Sequence, residues 1–98
     1  MNFSERVYAI TKKVPRGKVT TYKEIAHALN CKAYRAVGNA LNRNPYAPIV
    51  PCHRIVSSTG FIGGFASGTR NKTKLLRKEG VKIKNNKINL NRYFFKLK

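Results

Sequence analysis

The sequence predicts a mainly α fold with small β elements: a helix-turn-helix unit followed by a short C-terminal hairpin. Three observations carry this expectation. Apolar residues recur at helical spacing in several separate stretches. Two of those stretches are joined by only a few residues, and the second carries Arg35 and Arg43. Near the end, apolar residues alternate on either side of Asn85-Asn86, a two-residue turn signal.

Phe3, Val7, Ile10 and Val14 set the stripe of the first helix, and Val14-Pro15-Arg16-Gly17 stops it. Thr21 followed by Glu24 fits a capping box that opens a second helix through Ile25, Ala26 and Leu29, with Asn30 marking its end. Tyr34 to Arg43 forms the third helix, with Val37, Ala40 and Leu41 as its apolar face. Ile55-Val56 makes a short strand, and Ser57-Ser58-Thr59-Gly60 a turn. Gly60 to Gly68 holds four glycines interleaved with Phe61, Ile62 and Phe65. It is either a loop whose backbone approaches a ligand closely or a plain surface loop. Thr69 to Lys78 is the last helix, with Leu75-Leu76 as its buried stripe and Gly80 as its stop. Val81-Lys82-Ile83 and Ile88-Asn89-Leu90 then pair as the hairpin. The segment Arg92 to Lys98 mixes aromatics and cations and is either a docking strand or an unpacked tail. With 98 residues and no linker or repeat, one domain over residues 1–98 is expected.

The chemistry concentrates at Val50-Pro51-Cys52-His53-Arg54-Ile55-Val56. Pro45, Pro48 and Pro51 disfavour helix in the residues before them, so Cys52 is expected at the end of a stiff, non-helical approach. The thiolate is the nucleophilic form of cysteine, and a neighbouring base raises its population. Successive strand residues face opposite sides, so His53 reaches the Cys52 sulfur only if the backbone bends or a water bridges them. On spacing alone, a nucleophile and a small buried core residue are equally good readings of Cys52.

The formal charge of +18, from 21 Lys and Arg against 3 acids, is the strongest compositional signal. Such a chain repels itself and calls for a polyanion, nucleic acid first; a solvated lysine-rich surface is the bland alternative. Acidic membranes fit less well, because no long apolar run or lipidation signal is present. No secretory segment opens the chain, so Cys31 and Cys52 are expected to stay reduced in the cytoplasm, at the nucleoid if the source is prokaryotic. Cys31, Cys52, His27 and His53 lack paired ligand spacing, so no metal and no cofactor are expected. Glu79 stands at the end of its helix, where the macrodipole disfavours an anion by about 0.3–1 kcal/mol. A partner is therefore expected for it: a surface lysine such as Lys82, or His53, whose tautomer and basicity a carboxylate would set.

Several stretches, in order and in register, resemble the O6-alkylguanine-DNA alkyltransferases, the methylated-DNA–protein-cysteine methyltransferases, in their C-terminal active-site domain. They are Pro15-Arg16-Gly17-Lys18-Val19 with Thr21-Tyr22, Arg35-Ala36-Val37-Gly38-Asn39-Ala40, Asn44-Pro45, Pro51-Cys52-His53-Arg54, Ser58-x-Gly60, Gly63-Gly64 and Lys78-Glu79-Gly80. The resemblance implies a winged helix-turn-helix-like alkyltransferase domain. It also implies a monomeric, single-turnover DNA repair protein acting on duplex DNA that contains O6-alkylguanine. Cys52 would accept the alkyl group, His53 would take the thiol proton through water, and Glu79 would support the resulting charge. Tyr22 would protonate the departing base, and Asn44 would hold the turn before the active strand. The carbonyls of Pro51 and Ile55 would read the guanine amine, with Phe65 and Ala66 lining the pocket.

The target atom lies inside the base stack, so the nucleotide must rotate out. Arg35 would fill the vacated space. In this family the recognition helix lies along the minor groove, so Thr21, Tyr22, Ala36, Gly38, Asn39 and Arg43 would face DNA, and small residues such as Ala36, Gly38 and Ala40 would permit close approach. The resemblance lacks the family's N-terminal domain, and Phe65-Ala66 stand where many members carry Tyr-Ser, which implies slower transfer or altered alkyl preference. A non-catalytic alkyltransferase-like lesion-binding protein is the alternative; there the cysteine is replaced, whereas Cys52 is retained here. A regulator or architectural DNA-binder that uses its charge alone is a third.

Overall fold

Asn2 and Glu5 close a reciprocal cap in a computed structural model that describes residues 1–47, 49–62 and 69–97. The Asn2 side chain accepts from the Glu5 amide at 2.8 Å and the Glu5 carboxylate from the Asn2 amide at 3.4 Å, which starts helix α1, Phe3–Thr11. α1 ends sooner than its apolar stripe suggests. The Thr11 hydroxyl bonds back to the Val7 carbonyl at 2.7 Å, and the Lys13 and Val14 amides close tighter turns onto Ile10 and Thr11. Val14 is still fully buried.

Strand β1, Thr20–Thr21, leads directly into α2, Tyr22–Ala28. The Thr21 hydroxyl accepts from the Glu24 amide at 3.0 Å, the hydroxyl half of the expected capping box, while the Glu24 carboxylate accepts the Leu97 amide at 2.6 Å. Asn30 adopts φ 57° and closes the helix. α3 spans Tyr34–Asn42, with Arg43 as its cap. Val37, Ala40 and Leu41 are buried as expected, so Ala40 serves the core rather than an approach to a groove. The Tyr8 hydroxyl donates to the Ala40 carbonyl at 2.7 Å, tying α1 to α3.

Two apolar clusters result. One joins α1, α2 and α3 to Val50, Cys52 and Ile55; the other gathers Val19, Val56, Ile62, Leu76, Val81, Ile88 and Tyr93. Between them β1 pairs in parallel with β2, Ile55–Val56, in the register Thr20 to Ile55 and Thr21 to Val56. This pairing places the start of α2 beside the segment that follows Cys52. α4 covers Thr69–Lys78, as the sequence predicts. The hairpin β3 (Ile83–Lys84) and β4 (Lys87–Ile88) turns at Asn85 and Asn86, φ 52° and 60°, the primed-turn geometry that asparagine tolerates. Its strands are shorter than the alternation suggests, because Asn89 caps a brief helix α5, Leu90–Tyr93, through the Asn91 amide at 3.0 Å.

Most of the glycine-rich stretch lies outside the described residues, and at its start Gly60 approaches the hairpin backbone rather than a ligand. Gly60 has φ +87°, accepts the Ile88 amide at 2.9 Å, and a Cβ there would lie 2.3 Å from the Ile88 carbonyl oxygen. Gly63, Gly64, Phe65, Ala66 and Pro48 lie outside the described residues. Of the two readings of the last segment, docking is the one observed. Val19 donates to Tyr93 O at 2.9 Å and accepts from the Phe95 amide at 2.7 Å, while Phe95 and Leu97 pack on the first cluster. No helix among the described residues is long and apolar enough to cross a membrane.

Candidate active site

Cys52 does not sit on extended chain. Pro51, at φ −81° and ψ 68°, leads into a single 3-10 turn, Cys52–Arg54, closed by the Arg54 amide on Pro51 O at 2.9 Å and capped by the Ile55 amide on Cys52 O. The prolines exclude a regular α-helix upstream, but a three-residue turn begins just after the last of them. This turn bends the backbone at two adjacent residues, Cys52 and His53, just before the entry to β2. Both are buried. Asn44 braces the approach: its side-chain amide donates to Val50 O at 2.8 Å and its side-chain oxygen accepts the Tyr46 amide at 2.9 Å.

Glu79, the residue just after α4, is the hub of a buried polar group. His53 Nε2 lies 3.0 Å from Glu79 Oε2, while Arg54 contacts both carboxylate oxygens, Nε to Oε1 at 2.9 Å and Nη2 to Oε2 at 2.7 Å. A third Arg54 bond, Nη1 to Val14 O at 2.8 Å, anchors the group to the end of the first helical segment. Of the two partners expected for Glu79, His53 is the one observed and Lys82 is not. Arg54 is a further partner that the sequence reading missed, although it belongs to the quoted Pro-Cys-His-Arg run. Burial pushes the Glu79 carboxyl up, but the Arg54 and His53 hydrogen bonds outweigh it and hold the group below its ordinary value. The bidentate Arg54 contact fixes the carboxylate as an anion, so His53 Nε2 carries the proton that points at it. Nδ1 is then the ring's acceptor. Burial, together with the Arg54 and Lys72 charges, lowers the His53 pKa against the opposing pull of Glu79, so the imidazole is neutral near neutral pH.

Tyr22 opens α2 and is half-buried. Burial raises its phenol pKa, and negative charge on Cys52 raises it further, so the phenol keeps its proton. Beside it lies Lys72 of α4, fully buried, which the sequence reading also missed. Its ammonium donates to Ile55 O and stands 5.8 Å from the centre of the Tyr22 ring. Burial lowers its pKa to about 8, against the raising effect of Cys52. The clue in the sequence is position: Lys72 precedes the buried Leu76 by one helical turn and so shares its inward face.

The carbonyls of Pro51 and Ile55 are already engaged, one by the Arg54 amide and the other by the Lys72 ammonium. Each retains one lone pair for a further donor. On α3, Arg35, Asn39 and Arg43 are exposed, and Ala36 is half-buried. A Cβ at Gly38 would meet nothing within 4 Å, so no contact within the chain requires glycine there. Thr21 is buried and its hydroxyl is the cap of α2. Phe65 and Ala66 lie outside the described residues. Cys31 is half-buried against the first cluster, and His27 is exposed.

Comparison with known proteins bears on the fold and the family. The sequence model described as 6-O-methylguanine DNA methyltransferase, DNA binding domain, matches residues 2–81. A methylated-DNA–protein-cysteine methyltransferase from Sulfolobus acidocaldarius is 50% identical over 82 residues, which cover 84% of this chain and 52% of that protein. The chain thus spans about half the length of such curated relatives. Among solved structures, Mycobacterium tuberculosis OGT in complex with DNA superposes with a TM-score of 0.78 at 39% identity, covering 81% of this chain and 50% of that one. S. pombe Atl1 in complex with damaged DNA containing O6-carboxymethylguanine superposes with a TM-score of 0.87 at 33% identity, covering 96% and 94%. With the family match extending over most of the sequence, this chain belongs to the 6-O-methylguanine DNA methyltransferase DNA-binding domain family.

Proposed function

We propose that the protein is a stoichiometric DNA repair alkyltransferase that moves an alkyl group from O6 of an everted guanine to Cys52 Sγ. The observation that carries this reading is the buried hydrogen-bonded series at the 3-10 turn, in which Glu79, clamped by Arg54, orients the neutral His53 next to a buried thiol. His53 Nδ1 takes the Cys52 proton through one water, and Glu79 offsets the imidazolium charge. The sulfur lone pair forms a bond to the alkyl carbon as the carbon–O6 bond breaks, and the released electron pair goes to the guanine. Tyr22 supplies a proton to that base, which its raised pKa keeps available until charge develops. The Lys72 ammonium supports the thiolate and holds the Ile55 carbonyl in place. The product is a thioether, and nothing in the proposed cycle restores the thiol, so each molecule acts once. Arg35 fills the stack, while Ala36, Gly38, Asn39 and Arg43 lie along the minor groove and Tyr22 meets the DNA at the start of α2, where the buried Thr21 serves as the helix cap.

The test is to incubate the protein with duplex carrying O6-methylguanine under reducing conditions and measure its intact mass. A gain of one methyl group, mapped to Cys52, is expected. Cys52→Ser should show no gain while binding the same duplex; no gain in either protein removes the proposal. The whole-chain likeness to S. pombe Atl1 favours a second reading, lesion binding without transfer. Lesion-selective binding with unchanged mass would establish that one instead.

A further inference from the structure

One open cleft lies away from Cys52, which is not among its lining residues. It occupies about 790 Å³ between the end of α4, the hairpin and α5, and its charged lining residues are Arg77, Lys82, Lys84, Lys87 and Arg92. Arg77 also lines an adjoining cleft of about 440 Å³ with Arg70 and Lys74. Arg70, Lys74 and Arg77 recur at i, i+4 and i+7 on the face of α4 away from the buried Lys72 and Leu76. Together these residues form one basic belt, none of it drawn from α2 or α3. No carboxylate lines either cleft. The chain's acids, Glu5, Glu24 and Glu79, bond to Asn2, Leu97 and the His53–Arg54 pair respectively.

The hairpin also carries a mark of a missing counter-charge. Lys84 and Lys87 stand directly opposite each other across β3 and β4, a like-charge pairing that destabilises an isolated two-stranded ribbon. Parts of the belt are held in place: Arg92 stacks at 5.3 Å from the Tyr93 ring centre, and Arg77 Nη2 bonds to Ile83 O at 3.4 Å. Lys82, Lys84, Lys87 and Arg92 all lie beyond the residues 2–81 that define the family match. We infer that this belt is a second binding surface for the phosphate backbone of duplex DNA, separate from the α3 face. The inference rests on the proposed function for the identity of the polyanion. A phosphate seated between Lys84 and Lys87 relieves their repulsion, and the row along α4 extends the contact to successive phosphates.

The test compares wild-type protein with the triple variant Lys82→Gln, Lys84→Gln, Lys87→Gln, measuring affinity for lesion-free duplex across a salt series. Each lost phosphate contact lowers the slope of log affinity against log salt by about 0.9, so the triple variant should be shallower by about 2.7. Melting temperature should not fall in the triple variant, since a repulsive pair has been removed, and methyl transfer at saturating low-salt duplex should persist. An unchanged salt slope would overturn the inference. So would an unchanged slope accompanied by lost binding to phosphatidylserine vesicles, which would assign the belt to a membrane surface. The duplex carries no lesion, so failure of alkyl transfer leaves this measurement standing.

Discussion

Replacing Lys72 with methionine should flatten the dependence of stability on alkaline pH. The side chain is fully buried, and its pKa falls from the ordinary 10.5 to about 8. Below pH 8 both the folded and unfolded chains carry this proton, and the fold bears the whole cost of a buried cation. Between pH 8 and 10.5 the folded chain releases the proton while the unfolded chain keeps it. The unfolded state then binds more protons, so unfolding becomes harder as pH rises. A gap from 10.5 to about 8, at about 1.36 kcal/mol per pKa interval, amounts to about 3 kcal/mol. Tyr22, whose pKa is raised, acts in the opposite sense only above its ordinary value of 10.0. Urea denaturation followed by circular dichroism at pH 7, 8, 9 and 10 reads the effect directly. The wild type should gain stability relative to Lys72→Met by about 1 kcal/mol per pH interval above pH 8. Parallel curves for the two proteins would refute the assignment of a strained ammonium at this position.

Three further outcomes are expected. Glu79→Gln should cost about 3 kcal/mol, because it strips the Arg54 guanidinium and His53 of their shared anion, and should slow single-turnover transfer by about a hundredfold. Since the Glu79 pKa is lowered, its contribution to stability should hold above the ordinary carboxylate range and fade as pH drops through the lowered value; a variant matching wild type at pH 7 would show the pair is not structural. Arg35→Ala should reduce repair of duplex lesions by about tenfold or more while sparing single-stranded substrate, because only the duplex demands a few kcal/mol of unstacking; equal losses on both would rule out its place in the stack. Gly60→Ala should destabilise by about 3 kcal/mol, since φ is +87° and the added carbon would sit 2.3 Å from the Ile88 carbonyl oxygen; a melting temperature unchanged from wild type would contradict that geometry.

Local signals in the sequence were reliable where the structure is local. Helix α4 covers the expected residues and stops before Gly80, although of its Leu75-Leu76 stripe only Leu76 is fully buried, and the hairpin turn falls on Asn85-Asn86, because caps and turns are set by neighbours a few residues apart. Glu79 stood out because its charge opposes the helix dipole, which pointed to His53. Arg54 escaped notice because its contacts reach 25 and 40 residues along the chain. Lys72 escaped because lysine is almost never fully buried, so a stripe drawn from apolar residues passes over it. The parallel pairing of β1 with β2 was invisible for a similar reason: two-residue strands carry no periodicity, and their register comes from the packing around them. The turn at Cys52 combined both difficulties, since the prolines signalled an interruption without specifying the 3-10 geometry after it.

The Leu97 amide on Glu24 has a mechanical consequence. This bond spans 73 residues, and with Phe95 gripping Val19 it fastens the far end of the sequence to the helix that begins with Tyr22. A fusion after Leu97 therefore adjoins a bond to the first turns of the helix that carries the phenol, and loss of that bond separates the Glu24 carboxylate from the Leu97 amide.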